Sequence, residues 1–269
     1  MDKVVILAGG MGTRMRKQDQ AAGLTEDQAR VAETGVKALI PIDRPFLDYV
    51  LTVLAEAGYR RACLVIGPDH DNVRDYYTEQ SPPGRLSIEF AIQPKPLGTA
   101  NAVAAAEDFV GDDDFLMINS DNHYPLDAVR ALRDLDGPGL AGFERRALIE
   151  QSNIPAERVL KFAAAHIDEH DHLSRVIEKP TEEQLAELGD TVYLSMNCWR
   201  FTPNIFEACR NISPSPRDEY EITDAAQYCI DQLHEKFQVI RSQSPVLDLS
   251  SREDVGPVTE LLAGTGVAY

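Results

Sequence analysis

The most chemically suggestive stretch of the sequence is a glycine-rich turn that ends in an arginine. It reads Gly9-Gly10-Met11-Gly12-Thr13-Arg14 and follows the apolar run Val4-Val5-Ile6-Leu7. Glycines let the backbone turn tightly and bring free amides close to a ligand, and such amides bind phosphate oxygens. Arg14 adds a planar donor with a permanent positive charge. The turn therefore predicts a phosphate-binding site at the end of a first strand.

Two familiar phosphate loops do not fit this turn. A Walker loop ends in Gly-Lys followed by Ser or Thr, and that ending is absent here. The dinucleotide fingerprint needs a third glycine at position 15, where the sequence has Met15. The turn therefore indicates a phosphate loop of another kind, with a purely structural turn as the alternative.

A carboxylate stands at the end of another apolar run. Asp121 follows Phe115-Leu116-Met117-Ile118 after two polar residues. Open α/β sheets bind ligands at the carboxyl ends of their strands, and carboxylate oxygens are hard ligands that suit Mg2+. Asp121 is therefore a candidate magnesium ligand.

These residues need a sheet to position them, and the pattern of the chain predicts one. Short apolar runs alternate with amphipathic helices, which indicates βαβ units. We expect an α/β fold with a Rossmann-like, mainly parallel mixed sheet flanked by helices, and a small lobe that contains a β-hairpin. The predicted strands are 4–7, 62–67, 88–92, 115–119, 159–167, 173–177, 192–201 and 237–240, with a short segment at 246–249. The predicted helices are 26–32, 46–57, 73–77, 100–109, 126–135, 205–209, 223–233 and 252–262.

Several motifs in order along the chain resemble those of sugar-1-phosphate nucleotidyltransferases. The glycine-rich turn and Lys37-Ala38-Leu39-Ile40-Pro41-Ile42 together look like the family signature. The later matches are Gln93-Pro94-Lys95-Pro96-Leu97-Gly98-Thr99-Ala100, Ser120-Asp121-Asn122 and Glu178-Lys179-Pro180. The ordered set spans most of the chain and is more specific than any one motif. It implies an enzyme that joins a nucleoside triphosphate to a sugar 1-phosphate and releases pyrophosphate.

The resemblance also implies a role for each matching residue. Arg14, Lys37, Asp121 and Lys179 would be catalytic. Glu178, Lys179 and Asn197 would bind the sugar phosphate, while Asp121 and Asp248 would hold Mg2+. The nucleotide would contact Leu7, Ala8, Gly9, Gly10, Gly12, Thr13, Arg14, Gln93, Gly98 and Thr99. Within the resemblance, a uridylyl or thymidylyl donor is favoured, although glutamine can pair with several bases.

The sequence departs from the family pattern at a few points. Val36 stands where proline often precedes the motif lysine, and Ser120 stands where glycine is common. The family's late Trp-x-Asp-x-Gly-Thr pattern is reduced to Asp248 with neither the Trp nor the Gly. The stretch from Arg14 to Lys37 is longer than usual, and its polar segment 17–34 is either a surface insertion or a flap over the site.

Composition limits the classes of partner. The 269-residue chain carries a net charge of −18, which repels nucleic acid and anionic membranes. Four scattered cysteines and no secretory signal favour a reducing cytoplasm. We expect one nucleotidyltransferase domain over residues 1–269, with 1–135 mainly binding nucleotide and 136–269 supplying the sugar pocket and second metal ligand. The implied partners are an NTP and a sugar 1-phosphate, and a homo-oligomer is left open.

Three other functions remain open from the sequence. Cytidylyl- and guanylyltransferases share a similar opening loop, but the Leu97 to Ala100 and Glu178 to Pro180 segments argue against them. A nucleotide-sugar-dependent glycosyltransferase could use a similar sheet and would release no pyrophosphate. A regulatory relative that only binds nucleotide sugars would be expected to lack some of the charged residues that are present here.

Overall fold

A twisted sheet forms the centre of the protein. The computed structural model describes residues 1–17 and 23–269. The main path of the sheet runs β10-β6-β9-β4-β1-β2-β3, and the hairpin β7-β8 joins it through β9. A second, two-stranded sheet pairs β11 with β5. The strands are β1 Lys3–Leu7, β2 Arg61–Ile66, β3 Ser87–Ile92, β4 Phe115–Asn119, β5 Asn122–His123, β6 Gly139–Glu144, β7 Ala163–Ile167, β8 Leu173–Ile177, β9 Tyr193–Phe201, β10 Gln238–Ser242 and β11 Leu247–Asp248.

Pairing in the sheet is parallel on one side and mixed on the other. Strands β4, β1, β2 and β3 are parallel neighbours, so their carboxyl ends meet at one edge. Strand β9 runs antiparallel to β4, β6 and β7. The α/β class and the mainly parallel mixed sheet predicted from the sequence are confirmed. This order places the loops after β4 and β1 side by side, with the loop after β3 on the same edge beyond β2.

Helices cover both faces of the sheet. One apolar core contains residues of α3 and α7, and the other contains residues of α5, α10 and α11. The central strand β1 is buried on both faces, which explains its unbroken apolar run. The helices are α1 Thr13–Arg16, α2 Glu26–Thr34, α3 Phe46–Ala57, α4 Asp71–Asp75, α5 Thr99–Ala104, α6 Glu107–Val110, α7 Leu126–Asp134, α8 Arg145–Gln151, α9 Glu182–Glu187, α10 Asn204–Asn211, α11 Ile222–Asp231 and α12 Val255–Leu261.

Some sequence-based boundaries were wrong. The predicted helix 100–109 is two helices, because α5 ends at Ala104 and α6 begins at Glu107. The predicted strand 159–167 begins only at Ala163, since residues Ala156–Lys161 form a 3-10 helix. Strand β6 and helices α8 and α9 were not predicted. Within residues 1–17 and 23–269, no helix combines the length and the apolar character needed to cross a membrane.

The polar segment 17–34 contains a well-capped helix. Thr25 accepts a hydrogen bond from the Gln28 amide, and the Gln28 side chain accepts one from the Thr25 amide. Gln28 also donates to the Pro41 carbonyl at 2.9 Å, which attaches α2 to the segment after Lys37. This short helix was predicted from the sequence, at 26–32. Residues 18–22 of the segment lie outside the described residues.

Candidate active site

A cavity of about 520 Å³ opens where the parallel strands end. It lies between the loop after β1, the loop after β3 and the turn after β4. Most of the residues predicted from the sequence for the nucleotide, catalytic, metal and sugar-phosphate sites share this cavity. They are Leu7, Ala8, Gly9, Gly10, Gly12, Thr13, Lys37, Gln93, Gly98, Thr99, Asp121 and Asn197. The fold therefore gathers into one cavity residues that are up to 190 positions apart in the sequence.

The glycine-rich loop is held against the end of helix α2 by a contact that only glycine permits. Gly12 has a φ of +57°, and a Cβ atom built on it would lie 2.1 Å from the Gly35 carbonyl oxygen. Arg16, at the end of α1, donates from Nε and Nη2 to the Thr34 carbonyl at 3.1 and 2.8 Å. The C-terminal end of α2 therefore packs against the glycine-rich loop and supports it.

The loop after β3 forms the opposite wall of the cavity. Gly98 has a φ of +115°, and a Cβ there would lie 2.5 Å from the Tyr220 carbonyl oxygen. The Tyr220 amide donates to the Leu97 carbonyl at 2.8 Å, and the Thr99 hydroxyl accepts from the Ile222 amide at 2.8 Å. These contacts join the loop to the start of α11, so the segment 219–222 closes this side of the cavity.

Two predicted catalytic residues form an ion pair in the cavity. Lys37 Nζ lies 2.8 Å from Asp121 Oδ2, and the two side chains are only 16% and 24% exposed. Lys37 begins a 3-10 turn after α2, whereas Asp121 lies in the turn between β4 and β5. The pair places a cation and a hard carboxylate side by side at the carboxyl edge of the sheet.

Asp248 lies next to Asp121 because β11 pairs with β5. The register sets Asp248 opposite Asn122, and the Leu249 amide donates to the Asp121 carbonyl at 2.8 Å. Burial raises the pKa of the Asp248 carboxyl, and the negative charge of Asp121 raises it further. A neighbouring pair of carboxylates is a donor set that fits a divalent cation, because the charge of the cation would offset the cost of ionising the buried Asp248.

The Asp248 carboxylate is also engaged by the protein. Its Oδ1 accepts from the Asn122 side chain at 3.0 Å, and its Oδ2 accepts from the Ser250 hydroxyl at 2.7 Å. Arg158, with only 11% of its side chain exposed, lies 2.9 Å from Asp248 and 2.8 Å from Asp254. Arg158 was not predicted from the sequence, and it precedes Asp248 by 90 positions.

The predicted sugar-binding residues lie beside the main cavity. Glu178 and Asn197 line a recess of about 80 Å³ together with Asn122 and Ser195. Asn197 has a φ of +55°, which interrupts β9 at the point where its pairing changes from β4 to β7. Burial raises the pKa of the Glu178 carboxyl, while the nearby cation Arg217 lowers it.

Two predicted cations are not among the residues that line the cavities. Arg14 and Lys179 are both exposed, and Lys179 has a φ of +47°. Left-handed backbone at a residue other than glycine costs free energy and is concentrated at functional sites. Asn119, Glu219 and Glu221 also line the main cavity, and Asn119 was not predicted as a site residue. Asn119 directly precedes the Ser120-Asp121 turn, and this position next to a predicted motif could have identified it as a site residue.

A half-buried histidine in β5, His123, makes the fold sensitive to acid. Burial lowers the pKa of His123 from 6.5 to about 4, so the imidazole is neutral in the native state. An unfolded chain takes up that proton below about pH 6.5. The part of the free energy of unfolding that depends on a neutral His123 is fully present above the pKa that this histidine has in the unfolded chain. It is lost as the pH falls from 6.5 to 4. The loss amounts to about 3 kcal/mol.

We therefore expect His123→Gln to lose less of its free energy of unfolding than the wild type on acidification. Urea unfolding at pH 7, 5.5 and 4.5 measures this directly. The difference between the two proteins should grow as the pH falls. Parallel curves for the two proteins would show that His123 is not a source of the acid sensitivity.

Comparison with known proteins relates this site to a large family. A family model described as nucleotidyl transferase matches residues 3–265. The low-salt glycan biosynthesis nucleotidyltransferase Agl11 of Haloferax volcanii is 33% identical over 84% of this chain and 56% of its own length. A glucose-1-phosphate thymidylyltransferase of Streptomyces griseus is 31% identical over 97% of this chain and 64% of its own length. The chain thus spans less than two thirds of either relative.

A solved structure shows the same fold. UDP-glucose pyrophosphorylase complexed with UDP-glucose matches with a TM-score of 0.74, covering 97% of this chain and 98% of that one. The two sequences are 20% identical, so the likeness concerns the fold alone.

Proposed function

Since the chain belongs to the nucleotidyl transferase family, we propose that it transfers the nucleotidyl group of an NTP to a sugar 1-phosphate. The observation that carries this proposal is the single cavity that joins the glycine-rich loop to the Lys37–Asp121 pair. A phosphate loop, a cation and a hard carboxylate are what transfer between two anionic substrates requires. The products are an NDP-sugar and pyrophosphate.

The reaction exchanges one phosphorus–oxygen bond for another. A phosphate oxygen of the sugar 1-phosphate forms a bond to the α-phosphorus of the triphosphate. The bond from that phosphorus to the bridging oxygen breaks, and pyrophosphate leaves with its electrons. No residue needs to form a covalent intermediate, so the protein contributes alignment and charge neutralisation.

The charged residues divide between the two substrates. Lys37 and Arg14 neutralise the β- and γ-phosphates, and the amides of the loop from Gly9 to Thr13 bind phosphate oxygens. Lys179 binds the phosphate of the acceptor, while Glu178 and Asn197 bind sugar hydroxyls. Asp121 and Asp248 would hold Mg2+, which supplies further charge neutralisation at the phosphates when bound.

We propose a donor from the resemblance and the cavity lining, and a first acceptor from the name of a relative. Gln93 and Gly98 line the cavity and would face the nucleobase, and we propose UTP or dTTP as the donor. The Streptomyces griseus relative is named as a glucose-1-phosphate thymidylyltransferase, which makes glucose 1-phosphate the first acceptor to test.

Pyrophosphate release tests the proposal directly. The purified protein is incubated with Mg2+, one of ATP, GTP, CTP, UTP or dTTP, and one of a panel of sugar 1-phosphates. Release that requires both an NTP and a sugar 1-phosphate is the expected result. Turnover of a nucleotide sugar onto another acceptor without pyrophosphate would indicate a glycosyltransferase. A folded protein that binds nucleotide sugars without turnover would be a regulatory relative.

A further inference from the structure

We infer that the acceptor sugar 1-phosphate carries a second acidic group on its ring, and that Lys161 binds this group. The inference rests on the proposed function and specifies the class of acceptor. A carboxylate, as in a hexuronic acid 1-phosphate, and a second phosphate share the required negative charge. Lys161 would thereby select acidic acceptors over neutral ones.

Lys161 is the one lysine or arginine among the described residues that line the recess beside the main cavity. The recess is also lined by Glu178 and by the neutral polar side chains of Asn122, Ser195 and Asn197. Amide and hydroxyl groups suit the hydroxyls of a sugar. The ammonium group of Lys161 adds an attraction that only a negatively charged substituent uses in full.

The helix that carries Lys161 directs it toward the site. Residues Ala156–Lys161 form a 3-10 helix, in which side chains three positions apart lie on the same side. Arg158, three residues before Lys161, contacts Asp248 at 2.9 Å. Asp248 in turn accepts a hydrogen bond from Asn122, which lines the recess. The side of the helix that faces the proposed metal ligand therefore also carries Lys161 to the recess.

The two charged residues of the recess differ in how far their charges are offset. The Glu178 carboxylate lies 3.8 Å from the Arg217 guanidinium and accepts a hydrogen bond from the Thr223 hydroxyl at 3.4 Å. Lys161 is exposed and takes part in no ion pair among residues 1–17 and 23–269. The recess therefore presents a positive charge to the molecule that occupies it.

The position of Lys161 separates it from the reacting phosphate. Asn119 and Asn197 line both the recess and the main cavity, so they mark the junction between the two. On the proposed function, the 1-phosphate of the acceptor would lie in the main cavity beside the Lys37–Asp121 pair. Lys161 lines the recess and not the main cavity, and the sugar ring would extend into the recess. The ammonium group would therefore meet a substituent of the ring rather than the 1-phosphate.

Equilibrium binding tests the inference without requiring turnover. Calorimetry in Mg2+, with and without α,β-methylene-UTP, compares glucuronic acid 1-phosphate, glucose 1,6-bisphosphate and glucose 1-phosphate. At least one of the two acidic ligands should bind about fivefold or more tightly than glucose 1-phosphate, and the one that does identifies the acidic group. Equal or weaker binding of both, or no binding of either, would overturn the inference. Normal discrimination between acceptors without any pyrophosphate release would instead overturn the proposed reaction.

Two substitutions test Lys161 itself. Lys161→Met keeps a long side chain without the charge, so the advantage of the acidic ligand should fall about fivefold. Lys161→Arg keeps the charge and should keep the advantage within about twofold of the wild type. A structural role, or a contact with the 1-phosphate, would change the affinities of all three ligands together and leave their ratios unaltered. Unaltered ratios in Lys161→Met would therefore overturn the inference.

Lys236→Met is the matched control, because Lys236 is also exposed and lines neither the recess nor the main cavity. This control should keep the affinities and the ratios of the wild type. A loss of the acidic preference in Lys236→Met as large as that in Lys161→Met would mean that only the net charge matters, and would overturn the role of Lys161. Thermal melts confirm that each variant is folded.

Discussion

Asp121→Asn is expected to lower kcat/KM for pyrophosphate release by about a hundredfold or more, while the protein stays folded. The substitution preserves the shape of the side chain but removes the negative charge beside Lys37. On the proposed assignment that charge holds the cation that neutralises the phosphates. Because Asp121 faces a cavity and is partly exposed, the folded state loses little by the change.

Steady-state kinetics and a thermal melt measure the two parts of this expectation. Asp27→Asn is a suitable control, since it removes a carboxylate from an exposed ion pair with Arg30 on α2. The control should keep the activity of the wild type. Full activity of Asp121→Asn in Mg2+ would contradict the proposed metal ligand.

Arg158→Met should destabilise the protein by about 3–5 kcal/mol, because it leaves two buried carboxylates without their cation. Arg158 lies within 2.9 Å of both Asp248 and Asp254. The Asp254 carboxylate accepts from the amides of Ser250 and Ser251, so it caps the turn that follows β11. Loss of the arginine therefore strains the segment that carries the proposed second metal ligand.

Urea unfolding in the presence of a chelator measures this effect without compensation by metal. Arg210→Met is the matched control, because Arg210 pairs with Glu107 on the surface and both side chains are about half exposed. Its unfolding midpoint should differ little from that of the wild type. A similarly small change for Arg158→Met would mean that the buried carboxylates are neutralised in another way.

The local pattern of apolar residues predicted most strands of the sheet, because buried parallel strands are continuous apolar runs in the sequence. Strand β6 was missed because Gly139 and Gly142 interrupt its apolar character. The packing explains Gly139, because a Cβ there would lie 2.8 Å from the backbone carbonyl oxygen of Gln238 in the neighbouring strand β10. Helix α9 was missed although Thr181 and Gln184 form a capping box, because its six residues offer little periodicity.

The candidate site was predictable where it depends on short motifs. Gly12, Lys37, Gln93 and Asp121 stand in such motifs, and the fold gathers them in one cavity. Arg158 was not predictable, because its partner Asp248 is 90 residues away and nothing local distinguishes it from a surface arginine. Contacts of this kind depend on the pairing of β11 with β5. The local sequence pattern does not specify which strands pair.

On the proposed function, the Lys37–Asp121 pair would also disfavour the binding of free anions to the unoccupied cavity. A free phosphate that approaches Lys37 must displace the carboxylate 2.8 Å away and exchanges one ion pair for another. On the proposed function, a triphosphate that arrives with its own counter-cation would replace both partners at once. Together with the repulsion of small anions by a net charge of −18, this pairing would favour the complexed nucleotide over a free anion.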